Sequence, residues 1–180
     1  MLKNNNFVLR LVEEDDLVWV KTLRENPDTN KFLGTFCLLN DSMQKTWFNS
    51  LQSDKSKCYM IFEKFNDISN EKIGMVRITE IDLINKSMCV GGDIDPKHRG
   101  NGYAKEMFKL IFKYGFDYMN MNRLYLYVLE DNNVAKSLYK KMGFTYEGVQ
   151  REAIFSEGKY KDYEMMSILK REYLSGGFNV

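Results

Sequence analysis

The chain has 180 residues, 44% hydrophobic and 28% charged, with a formal net charge of +1. That length fits one domain, residues 1–180, with enough volume for a substantial core, and so small a net charge gives no electrostatic case for nucleic acid or membrane as a partner. No run approaches the roughly eighteen apolar residues of a membrane span, and residues 1–6 lack the apolar stretch of a signal peptide. Three scattered cysteines, Cys37, Cys58 and Cys89, and a single histidine, His98, argue against a zinc site or a disulfide framework. A reducing, cytoplasmic setting with no metal is the expectation.

In chain order, residues 7–12 alternate as a first strand. The acids from Glu13 to Asp16 suit a helix start, and that helix should end before Asn26-Pro27. Residues 28–40 read as a loop or short helix anchored by Phe32, Leu33 and Phe36. Asp41 or Ser42 can cap a second helix that carries Trp47, Phe48 and Leu51 on one side. Strands follow at 58–62, 72–84 and 87–94, with turns at 65–71 and at Asn85-Lys86. A helix from about 102 to 118 carries Met107, Leu110, Ile111, Tyr114 and Phe116 as a stripe for burial on a sheet. A strand at 124–129 leads to a helix capped by Asn132 or Asn133 and ended by Gly143. Two strands, 145–155 and 159–169, close the chain around a Glu157-Gly158 turn. The order is that of a mixed α/β layer architecture.

Two segments carry chemistry. Arg99-Gly100-Asn101-Gly102-Tyr103-Ala104 follows a strand and opens a helix, so its backbone N–H groups and the positive end of the helix dipole converge on one spot, where phosphate binds well. Glycine lets the backbone approach an anion closely; the alternative is a helix start that uses glycine for geometry alone. About thirty residues later comes Asn132-x-x-Ala135-x-x-x-Tyr139-x-Lys141-x-Gly143-Phe144. Together they point to a pyrophosphate-bearing cofactor and a tyrosine placed to move a proton.

This element order with these motifs in these places resembles the GNAT superfamily of acetyl-CoA-dependent N-acetyltransferases. Arg99-x-x-Gly102-x-Ala104 is similar to its cofactor motif, and residues 146–151 and 158–162 look like the branch that holds ribosomal-protein, spermidine and amino-sugar acetyltransferases. The resemblance implies a central mixed, mostly antiparallel twisted sheet of about seven strands flanked by about four helices. It implies acetyl-CoA as acetyl donor, with backbone N–H groups from Gly100, Asn101, Gly102, Tyr103 and Ala104 on the pyrophosphate. It also implies a splayed strand, Val90-Gly91-Gly92-Asp93-Ile94, whose free edge pairs with the cofactor's amides; Gly91 and Gly92 fit a bulge or close approach, or room for a helix. Asn132 would hydrogen-bond the pantetheine arm, its alternative being a plain N-cap; Asn133 could serve as the cap and leave Asn132 free. Side chains of Lys97, Arg99, Lys105, Lys136 and Lys141 either meet the cofactor or form a solvated basic rim.

Attack of an amine on a thioester expels a thiolate that needs a proton, and Tyr139, with a phenol pKa near 10, can supply it; a tyrosine packed against the sheet is the plain alternative. The acceptor must itself lose a proton. Glu80 is the candidate base, ahead of Asp82 and Asp93, unless a water chain does the work. His98 reads as an exposed loop residue. Transfer is expected by direct attack, without an acyl-enzyme, to a small primary amine, either a polyamine or an amino-sugar nucleotide. A protein N-terminal amine is the runner-up, and a non-catalytic acyl-CoA-binding module the third reading. A homodimer is the assembly that exposed C-terminal strands would allow.

Overall fold

The computed structural model describes residues 1–4, 6–33, 38–65 and 69–176; Phe36 and Cys37 lie outside them. Eight strands form one sheet: β1 (Leu2–Asn4), β2 (Phe7–Leu11), β3 (Cys58–Lys64), β4 (Glu71–Asp82), β5 (Ser87–Ile94), β6 (Arg123–Leu129), β7 (Thr145–Ser156) and β8 (Lys159–Leu169). Their order is β1-β2-β3-β4-β5-β6-β8-β7. Every neighbouring pair is antiparallel except β5 and β6. A parallel pair needs a crossover, and α4 (Tyr103–Phe112), continued by wider π turns over Lys113–Tyr118, supplies it. The remaining helices are α1 (Leu17–Glu25), α2 (Pro27–Asn30), α3 (Asp41–Leu51), α5 (Asn133–Lys141) and α6 (Lys170–Leu174).

The architecture is the expected one, with more elements at its margins. The Asn-rich N-terminus forms β1, pairing Leu2 with Leu9, Lys3 with Val8 and Asn4 with Phe7; so short an edge strand has no alternation to read. Asn40, rather than Asp41 or Ser42, caps α3, its side chain accepting from the Met43 N–H at 2.8 Å. The Glu157-Gly158 turn has φ of 54° and 80° at its two residues, as a tight two-residue hairpin requires.

Alternation along the strands builds two cores. Leu9, Met60, Phe62, Val76, Ile78, Met88 and Val90 face α4 and pack on Met107, Phe108, Leu110 and Ile111. Ile61 and Met75 face the other way, onto Val20 and Leu23 of α1 with Trp47 and Phe48 of α3 alongside. Gly92 is the point of closest approach between β5 and α4: a Cβ there would lie 2.3 Å from Met107 Cε. Of the two uses open to that glycine, room for the helix is the one the packing shows.

A buried charge network fixes where α1 begins. Asp16, 2% exposed, accepts from Arg10 Nη1 at 2.6 Å and Nη2 at 2.9 Å and pairs with Lys72 Nζ at 2.6 Å; Arg10 also donates to Glu63 Oε1 at 2.7 Å. Burial alone would raise the Asp16 carboxyl, but hydrogen bonds from Arg10, Lys72 and the Glu13 N–H outweigh it and hold it well below the ordinary carboxylate range. Since the folded pKa is depressed, its stabilisation is full above the unfolded value of about 3.9 and drains away as pH falls below it. Asp16→Asn is expected to cost about 3 kcal/mol at neutral pH and to remove part of the acid-limb decline; denaturant unfolding at pH 7, 5 and 3 checks both.

Candidate active site

β5 and β6 run side by side for three register pairs, Ser87 with Arg123, Met88 with Leu124 and Cys89 with Tyr125. Beyond them the strands part. β5 stays paired to β4 through Ile94, and β6 stays paired to β8 through Leu129. A sheet that opens this way leaves backbone N–H and C=O groups of Val90–Ile94 without a strand partner on that side, and such groups demand hydrogen bonds from something else. The wedge is a cleft of about 370 Å³. Its walls are Val90 to Ile94 of β5, Tyr127 to Leu129 of β6, Thr29 of α2 with nearby Phe32, and the first turns of α4 and α5.

Two helix N-termini open into this cleft, one following each of the parting strands. Gly102 precedes α4 with φ 76° and Gly100 has φ 80°; both are left-handed conformations that a side chain strains. A Cβ on either would meet no protein atom within 4 Å, so these glycines answer to backbone conformation and to open space above the turn. On the β6 side Asn132 caps α5, its side-chain oxygen accepting from the Ala135 N–H at 3.2 Å. The cap therefore falls to Asn132 and not to Asn133, while Asn132 still lines the cleft.

Tyr139 stands on α5, 9% exposed, its ring edge-on to Phe108 at 5.3 Å and tilted against Phe144 at 5.8 Å. No described residue hydrogen-bonds its hydroxyl, and the residue lines the cleft. Burial, then the negative charge of Asp93, push the phenol up to about 12, with Arg77 opposing. Arg77 and Asp93 line the same cleft and pair at 2.9 Å. Asp93 is the one carboxylate among the described lining residues.

The other expected residues are placed as follows. Ile94 and the turn residues Arg99, Gly100, Gly102, Tyr103 and Ala104 line the cleft. Asn101 is exposed and outside the lining, its amide donating to the carbonyls of His98 and Arg99. Lys141 is exposed and also outside it, and Lys136 is tied to Glu164 at 2.9 Å. Glu80 sits on a bulge of β4 with φ 51°, accepting from Tyr125 Oη at 2.9 Å; it is not part of the cleft wall that holds Tyr139. Asp82 is spent on its turn, bonding the Ile84 and Asn85 N–H groups. His98 lines the cleft rim, 3.3 Å from Glu71. Sequence reading missed Arg77 and Thr29. Arg77 had a signal: it alternates with Val76 and Ile78, which face the α4 core, so it lies on the opposite face. Thr29 had none, because its role depends on a partner seventy residues away.

Among the described residues no cluster of His, Cys, Asp or Glu could hold a metal ion, and no helix is long and apolar enough to cross a membrane. The site fits acetyl-CoA: a free strand edge in the wedge, a glycine turn with space above it on one side, and a buried phenol along the wall.

Comparison with known proteins agrees. The acetyltransferase (GNAT) domain family matches residues 6–145. Spermidine N(1)-acetyltransferase of Vibrio cholerae is 28% identical over 172 residues, covering 96% of this chain and 98% of that protein. The Escherichia coli K12 spermidine N(1)-acetyltransferase is also 28% identical over 172 residues, covering 93% and 88%. A crystal structure of spermidine N-acetyltransferase from Vibrio cholerae in complex with CoA and spermine superposes with a TM-score of 0.89 at 28% identity, covering 95% of this chain and 99% of that one. With the family's domain spanning most of the chain and its fold reproduced around a cleft suited to coenzyme A, the chain belongs to the GNAT family and is an acetyl-CoA-dependent N-acetyltransferase.

Proposed function

We propose that this enzyme acetylates a primary amine of a small polyamine such as spermidine, with Tyr139 as the acid. What carries the reading is the wedge between β5 and β6, which has Tyr139 on its wall, in a chain similar over its whole length to spermidine acetyltransferases. Bound acetyl-CoA supplies an electrophilic acetyl carbonyl and a thiolate leaving group. The free edge of Val90–Ile94 receives amides of the donor, and N–H groups of the turn from Gly100 to Ala104, aided by the α4 dipole, receive its phosphates. Asn132 keeps its amide for the pantetheine side. The amine nitrogen forms the C–N bond as the C–S bond breaks; Tyr139 holds a proton at Oη and delivers it to the departing sulfur, while the nitrogen sheds its extra proton to solvent, from which the phenol is restored. Asp93, beside Arg77, is the carboxylate placed to meet the acceptor's ammonium; Glu80, held by Tyr125, is better placed to contact a distal part of a long acceptor than to act beside Tyr139. A cytoplasmic setting and self-association through the exposed β7 edge go with this reading; one Vibrio cholerae relative is described as dodecameric.

A second reading has its own observation. Asp93 is already countered by Arg77, and a cleft that offers a guanidinium beside its one carboxylate suits an amine bearing its own acidic group, as an amino-sugar nucleotide does. A panel of spermidine, spermine, an amino-sugar nucleotide and peptides with Ser, Ala or Met N-termini separates these. Turnover of the polyamines alone is expected; turnover of the amino-sugar nucleotide or of the peptides alone would overturn the polyamine reading. Arg77→Gln should raise kcat/KM for spermidine roughly fivefold by freeing Asp93, whereas under the second reading it abolishes activity.

Tyr139→Phe should lower kcat by about 10²–10⁴ while the acetyl-CoA Kd stays within about threefold. Because the phenol lies at about 12, the wild-type rate should climb with pH as the amine deprotonates near 10 and show no descending limb below that value. Gly102→Ala meets no protein atom, so its folding cost is confined to about 1–2 kcal/mol of left-handed strain; loss of acetyl-CoA affinity of about tenfold, read by calorimetry on the folded variant, would report close approach of the donor to that turn.

A further inference from the structure

Arg99 is not a free cation on the rim of the phosphate turn. Its Nε donates to the Ile94 carbonyl at 3.0 Å, its Nη1 to the Asp28 carbonyl at 3.2 Å, and its Nη2 to Thr29 Oγ1 at 2.9 Å. Thr29 is 2% exposed. One guanidinium therefore spans three pieces of the cleft: the end of the splayed strand, the glycine turn to which Arg99 belongs, and α2, whose Thr29 and neighbouring Phe32 form the far wall. The planar fork of arginine can hold such divergent acceptors at once, and lysine cannot. α2 is one turn long, with Pro27 at its start and an Asn26 cap bonding the Asp28 N–H at 2.9 Å, and its other anchor is the end of α1, where the Asn30 amide donates to the Arg24 carbonyl at 3.2 Å.

We propose that Arg99 is a positioning residue that couples the coenzyme A turn to the far wall of the cleft, so that filling the turn steadies α2 rather than Arg99 itself contacting phosphate. Three of the five N–H donors of this exposed guanidinium are engaged by protein acceptors, which aims it at α2 and the end of β5, and α2 can respond to the turn through a side chain that touches both.

Hydrogen exchange of the α2 segment with and without coenzyme A tests this without an acceptor. The Asn30 and Lys31 N–H groups bond Asn26 and Pro27 carbonyls at 2.8 and 3.2 Å, so their exchange reports the opening of α2. In the wild type, saturating coenzyme A should slow exchange there by about fivefold or more. Arg99→Met should abolish that slowing while the coenzyme A Kd changes by less than about threefold; Arg99→Lys should behave like Arg99→Met, and Thr29→Val should reduce the slowing. Should Arg99→Met fail to fold, Thr29→Val alone carries the test, and unchanged slowing in it overturns the proposal. A Kd raised about tenfold with the slowing intact would make Arg99 a phosphate ligand, and the proposal would be wrong. Failure of the acetyltransferase reading would show instead as no coenzyme A binding in the wild type.

Discussion

The structure turns on a hydrogen-bond ladder that stops. After Cys89 and Tyr125 the parallel pair parts, and every later feature of the site follows from that interruption. In most sheets an abandoned strand edge is a liability. Here it lies inside the molecule, between walls supplied by two helix N-termini, so that its unpaired amides open into a cleft and not onto an outer edge of the sheet. The antiparallel strands on either side make the gap affordable: β5 keeps β4 and β6 keeps β8, so neither loses its place when the two separate. The tight contact of Gly92 with Met107 then sets how closely α4, and with it the glycine turn, sits on the strand.

Two of the charged groups are placed very differently. Arg10, Asp16, Glu63 and Lys72 close the start of α1 against β2, β3 and β4, away from the cleft wall. Arg77 and Asp93 pair within the cleft. Buried pairs of the first kind hold their place because removing one partner strands the other. A partly accessible pair of the second kind can exchange partners with an incoming charged group, which is what recognition of an amine requires. Tyr139 shares the cleft with the second pair as a neutral phenol, kept protonated by burial first and by Asp93 second.

Much of this was legible in the residues. The long strands and amphipathic helices announced themselves by period, and the Arg99 to Ala104 and Asn132 to Phe144 segments pointed to the two sides of the cleft. Tyr139 was legible because its place in the second motif is fixed by local spacing. The losses have one cause, which is that side-chain partners far apart in sequence leave no local trace. Arg99 could be read as a cofactor contact or as part of a solvated rim, and its bond to Thr29 leaves no trace in the local sequence. Glu80 looked well placed along β4, but a bulge and the Tyr125 hydroxyl hold it away from the wall bearing Tyr139. Asn132 and Asn133 could trade the cap on paper, and only backbone geometry decides between them. β1 has three residues, too few for any period.

The short parallel seam also bears on how the chain acquires its shape. The hairpin pairs β1–β2, β3–β4, β4–β5 and β7–β8 join strands that follow one another directly, but β2 meets β3 only across α1 to α3, pairing Phe7 with Lys64, and β6 meets β8 only across α5 and β7, pairing Arg123 with Leu169. The seam of Ser87 to Cys89 against Arg123 to Tyr125 is a third such closure, made across α4. Loop closure has to precede the reward of such contacts. The two strands that part to make the cleft are thus joined to each other, and β6 to β8, by distant pairings, which gives this fold a high contact order and a slower assembly than a sheet built from hairpins alone.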